Sequence, residues 1–212
     1  MLFKYSCFIS YRASRTKLTT TFIKQLKEAL DGEIATQLDR EVYIDSERIR
    51  GGEWYNESLA RALCESLCMI LIFTPNYFSK EKTFCTREYL TMKILEQKRL
   101  ETIRGKCDSS LRFIIPIIFR GPKHLPSEIK EYRHYYDFSQ YTLADTEIMK
   151  HKDYNKYIKE ISSEIIAELA KCFDDVDQEK IFLCKNLDLP TVQEAKNWLE
   201  TLDTPPFEFP GP

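Results

Sequence analysis

Cys68-Met-Ile-Leu-Ile-Phe-Thr74 carries no charge and is apolar at every position before its closing threonine. A strand with one wet face alternates apolar and polar residues, whereas a short, continuously apolar run reads as a strand covered on both faces, as in a parallel sheet flanked by helices. Residues 5–10 (YSCFIS) and 113–119 (FIIPIIF) have the same character. Residues 41–45 (EVYID) and 135–138 are weaker strand candidates that bring the number to five. Pro116 removes one ladder donor from the run it occupies and blurs that strand's limits.

Between these runs, apolar residues recur three and four apart over residues 18–30, 55–66, 83–97 and 154–173, the spacing of helices with one buried face. Strands and helices therefore alternate along the chain. That order predicts an α/β fold with a five-stranded parallel sheet, right-handed crossovers and helices on both faces, flavodoxin-like in outline. After Phe173 the acidic cluster Asp174, Asp175 and Asp177 breaks the pattern, and a short helix over about 191–202 leads into a Pro-rich end. We read residues 1–174 as one domain and residues 175–212 as an appendage. For the appendage, docking of a partner protein and packing back on the domain are both open.

The bulk composition narrows the function classes. A 212-residue chain that is 43% hydrophobic can bury one substantial core. With 31 Lys and Arg against 33 Asp and Glu, a net charge of -2 exerts no general pull on nucleic acid or anionic lipid, so neither is expected as a partner. The apolar runs fall short of a bilayer span and the N-terminus does not resemble a signal peptide, which predicts a cytoplasmic protein. Seven cysteines are an odd count, and Cys7, Cys64 and Cys68 lie in apolar surroundings where a free thiol behaves as a small hydrophobe, as in a reducing compartment. Cys64 and Cys68 lack the second pair or His cluster that would complete a metal site, so no metal is expected.

In an open α/β sheet, ligands bind beyond the carboxyl ends of the strands. The residues there are Ser10, Tyr11 and Arg12 after the first strand, residues 45–52 after the second, and 74–83 after the third. None of these loops carries a Walker-type or GxGxxG sequence, and a GxSxG elbow is missing as well. Kinase, P-loop, dinucleotide dehydrogenase and Ser-His hydrolase readings therefore fall. On the helix that opens near Thr83, steps of three and four give Phe84, Glu88, Thr91, Met92 and Leu95, which sets a carboxylate in an apolar row. A carboxylate near a helix start also fits an ordinary charge at the positive helix end, worth about 0.3–1 kcal/mol.

Three segments in order resemble the Toll/interleukin-1 receptor (TIR) domain family over about residues 4–173. Cys7-Phe-Ile-Ser-Tyr-Arg12 is similar to its first box. Tyr43-Ile-Asp45 followed by Gly51-Gly52-Glu-Trp54 is similar to its second. Thr83-Phe-Cys-Thr-Arg-Glu88 is similar to the stretch in which catalytic members place an aromatic residue four positions before a glutamate; Phe84 stands where many members have Trp. The resemblance implies either an NAD+ nucleosidase, a glycohydrolase or ADP-ribose cyclase that splits the nicotinamide–ribose bond, or a non-catalytic adaptor acting through TIR–TIR contacts. The enzymatic reading, in microbial antiviral or cell-death immunity, makes Glu88 catalytic and NAD the substrate, with no other cofactor, and implies activation by self-association. Matching positions then assign Arg12 to the pyrophosphate, Asp45 and Glu47 to the loop bordering the pocket, and Trp54 to stacking, with Ser10, Tyr11, Phe84 and Cys85 as wall. Each has a plain alternative: Arg12 a solvated charge, Asp45 a turn residue, Trp54 a core or staple residue.

Overall fold

The computed structural model describes residues 3–13, 17–44, 53–108, 110–140, 152–174, 176, 184 and 187–203. Five strands, β1 (Tyr5–Tyr11), β2 (Glu41–Ile44), β3 (Ser66–Phe73), β4 (Ile114–Ile118) and β5 (Tyr136–Asp137), form one parallel sheet in the order β2-β1-β3-β4-β5. The helices between them are α1 (Lys17–Ala35), α2 (Glu53–Glu65), α3 (Phe84–Thr102) and the short α4 (Ser127–Lys130). After β5, α5 (Lys152–Lys159) runs through a π-helical stretch, Glu160–Ile166, into α6 (Ala167–Cys172), and α7 (Val192–Glu200) follows. This is the flavodoxin-like α/β sheet expected from the three apolar runs.

Strand periodicity divides the core into two layers. Cys7 and Ile9 of β1 and Cys68, Ile70 and Ile72 of β3 face one way, onto α1 and the α5–α6 segment through Phe22, Leu26, Ile158 and Leu169. Their neighbours Phe8, Met69, Leu71 and Phe73 face α2 and α3 through Leu59, Leu63, Tyr89 and Met92. Because both faces are covered, β3 is buried at all eight positions, which is why its sequence shows no alternation. Pro116 is tolerated inside β4 because β5 pairs only with Ile117 and Ile118, so no β5 ladder bond is lost at Pro116.

Buried polar groups tie the layers together. The Arg99 guanidinium, on α3, donates to the carbonyls of Leu67 (2.8 Å) and Cys64 (2.9 Å), satisfying the junction where α2 turns directly into β3. Glu96 receives both guanidinium nitrogens of Arg133 (2.7 and 3.0 Å) together with the backbone N–H of Phe113 (2.8 Å). That cluster locks the start of β4 to α3 and to the approach to β5.

One expectation changes. Cys64, read as a free thiol, is disulfide-bonded to Cys184, and Cys107 pairs with Cys172; Cys7, Cys68 and Cys85 remain as buried thiols. The pairing was invisible in sequence because 120 positions separate Cys64 from Cys184 and only the fold brings their Cα atoms to 5.7 Å. Of the three thiols on which the reducing-compartment expectation was built, Cys7 and Cys68 stay free and Cys64 does not. Of the two courses left open for the appendage, residues 187–203 take the one of packing back onto the domain. Trp198 lies against Phe78 and Tyr89 (ring centroids 5.4 and 5.3 Å), Arg87 donates to the Pro190 carbonyl (2.5 Å), and Thr191 and Glu194 form a reciprocal capping box at the start of α7. Residues 204–212, with Phe207 and Phe209, lie outside the described residues. Among the described residues no helix is long and apolar enough to cross a membrane.

Candidate functional site

The strand order places a topological switch point at β1. From β1 the chain passes to β2 on one side, and β3 then pairs on the other, so connections diverge at the carboxyl ends of β1 and β3, the place where ligands bind in open α/β sheets. Ser10 is the penultimate residue of β1 and is buried. The loop after β3 turns at Thr74, whose carbonyl accepts the Tyr77 N–H (2.9 Å), and this sends the Tyr77 side chain inward, where it is fully buried. Gly121 supports the loop from below: it sits at φ 69°, and a Cβ there would collide with the ring of Pro75.

The third wall is α3. Thr83 is its N-cap residue and Phe84 its first, so Glu88 lies beyond the first turn, which holds no acidic residue. The helix-end explanation of Glu88 therefore does not describe this geometry. Glu88 is only 6% exposed, and its Oε2 accepts a hydrogen bond from Ser10 Oγ at 2.5 Å. The same Ser10 oxygen lies 2.5 Å from the Tyr77 hydroxyl. Burial first, then the nearby Cys85 and Glu88, push the Tyr77 phenol well above its ordinary pKa. Cys85 donates to the Tyr11 carbonyl (3.4 Å), and burial, followed by Glu88, raises its thiol against the opposing pull of Arg12. A raised thiol stays in its protonated, weakly nucleophilic form. At the rim, Arg12 donates to the Lys82 carbonyl (3.0 Å).

The chain thus brings Ser10, Tyr11, Arg12, Cys85 and Glu88 to one edge of the sheet. Phe84 is 49% exposed, one helical turn before Glu88, with the Arg87 guanidinium 6.0 Å from its ring. Asp45 and Glu47 lie outside the described residues. Trp54 is in the first turn of α2, and its side chain lies outside them too. Tyr77 escaped the sequence reading, although it falls in the post-β3 loop already marked as a place where ligands bind.

A family model described as "TIR domain" matches residues 7–150, which is more than half of the chain. The chain belongs to the TIR domain family. No curated protein matches this TIR chain. Among solved structures it is similar to the TIR domains of the activated Roq1 resistosome that directly recognises the pathogen effector XopQ, with 18% identity over 79% of this chain and 94% of that one, at a TM-score of 0.39.

A groove of about 770 Å³ runs along the opposite end of α3 between Lys93, Arg104, Arg112 and Tyr132. Its charges are of both signs, and two of them, Glu96 and Arg133, are already engaged with each other. It lies away from the carboxyl ends of the strands, so we place the candidate site of this TIR chain at Glu88. Among the described residues no group of three His, Cys, Asp or Glu side chains could hold a metal ion.

Proposed function

We propose that this TIR chain cleaves the nicotinamide–ribose bond of NAD, as a glycohydrolase or ADP-ribose cyclase, with Glu88 as the catalytic residue, in an immune or cell-death response. The observation that carries the reading is the buried Glu88 carboxylate, held by Ser10 at the β1–β3 switch point. Nicotinamide departs as a neutral molecule, so the leaving group needs no acid, and positive charge develops on the ribose as in other glycosidic cleavages. A carboxylate in a water-poor crevice stabilises that charge and accepts hydrogen bonds from the ribose hydroxyls. Arg12 at the rim offers a planar cation for the pyrophosphate.

We assign activation to self-association of TIR units, so activity per mole of protein should rise with protein concentration. The test is chromatographic detection of nicotinamide from NAD over a range of protein concentrations, with Glu88→Gln beside the wild type. We expect release by the wild type and a loss of roughly 100-fold or more in the variant, with an unchanged circular-dichroism spectrum. Equal turnover by both proteins overturns the assignment of Glu88. No release at any concentration, from protein that does self-associate, leaves the scaffold reading.

A further inference from the structure

We propose that Tyr77 and Ser10 are positioning residues for Glu88, forming a hydroxyl relay that runs from the tyrosine through the serine to the carboxylate and holds it ionised in one rotamer. The inference rests on the function proposed for Glu88 and deepens it.

Proton counting sets the direction of the relay. An ionised carboxylate only accepts, so the single Ser10 proton goes to Glu88 Oε2, and the Ser10 oxygen must then accept from Tyr77. Both O···O distances are 2.5 Å, the short end of the range for hydroxyls bonded toward a charged acceptor. Tyr77 and Ser10 are 0% and 1% exposed, so water offers neither hydroxyl a ready substitute partner. Burial also keeps the Tyr77 phenol protonated, and hence a donor, at neutral pH.

The three members come from β1, the loop after β3, and α3, separated by 67 and 78 positions. The relay therefore exists only when the carboxyl edge of the sheet and α3 are mutually seated, and it couples the aim of the carboxylate to that seating. Other ionisable groups act on the members of this cluster: Cys85 and Tyr89 on Tyr77, and Arg12, from the end of β1, on Cys85.

The experiment compares wild type, Ser10→Ala, Ser10→Thr, Tyr77→Phe and Glu88→Gln. Nicotinamide release is read as kcat and KM. The ionisation of Glu88 is read separately by infrared difference titration against Glu88→Gln. A donor to the charged form favours that form, so the carboxyl should protonate at higher pH in Ser10→Ala, and at intermediate pH in Tyr77→Phe. We expect kcat to fall up to about 100-fold in Ser10→Ala and less in Tyr77→Phe, with KM little changed and recovery in Ser10→Thr. A carboxyl that titrates identically in wild type, Ser10→Ala and Tyr77→Phe overturns the relay, whatever the activity. Absence of turnover in every protein overturns the proposed function instead, and the infrared titration still judges the relay.

Discussion

Ser10 and Glu88 are 78 positions apart in the chain and meet at 2.5 Å, one at the end of a buried strand and the other beyond the first turn of a buried helix. Neither environment suits a lone polar group. Burial of a carboxylate without a donor costs several kcal/mol, and the serine supplies that donor at the sheet edge where ligands of this fold class bind. The pair thus marks the place where the fold accepts an electrostatic cost and where chemistry is expected.

The ion pair Glu96–Arg133 sits at the opposite end of α3, with side chains 9% and 8% exposed. Removal of one partner strands a buried charge, and loss of Glu96 also orphans the Phe113 N–H. Glu96→Ala should destabilise the fold by about 3–5 kcal/mol, lowering Tm by roughly 6–20 °C, whereas substitution at the exposed Lys24–Glu28 pair should change it little. Thermal denaturation checks this, and equal shifts for the two sites would count against a structural role for Glu96.

The Cys64–Cys184 bridge closes a loop spanning 120 positions and, in the chain-entropy account, restricts the unfolded state by about 4–5 kcal/mol. Its removal should lower stability without detaching α7 altogether, because Trp198 and the Arg87–Pro190 hydrogen bond still hold that helix. In the double variant Cys64→Ser, Cys184→Ser, amide hydrogen exchange across Val192–Glu200 should quicken while β3 stays protected. Unaltered exchange at α7 would show that the bridge does not contribute to its docking.

Burial raises the Cys68 thiol from 9.0 to about 12, with Arg99 opposing, and also raises Cys7 and Cys85. The folded state therefore keeps these protons after the unfolded chain has lost them. Stability from this source is complete below about pH 9 and declines between pH 9 and 12. In the native protein all three thiols should resist iodoacetamide at pH 8 and react once the chain is unfolded. Rapid labelling of Cys85 in the native state would contradict its burial beside Tyr11.

Local composition alone was enough for the sheet. The run at residues 68–74 is apolar at consecutive positions because both of its faces are covered, and a signal of that kind survives without knowledge of partners. The short helix expected over about 191–202 is found as α7, Val192–Glu200, with Thr191 and Glu194 as its capping box. Element limits were less legible. β5 shrinks to Tyr136–Asp137, and α4 is a single turn whose one buried residue, Ile129, gives no periodicity to read.

What the sequence by itself determined is the α/β order and Glu88 as the residue out of place. Tertiary structure alone decided that Ser10 meets both Tyr77 and Glu88, that Cys64 finds Cys184, and that residues 187–203 fold back over α3. The physical reason is common to all three. Periodicity records which face of an element is buried, whereas a hydrogen bond or disulfide between elements depends on strand order and helix seating, which no stretch of the chain encodes locally.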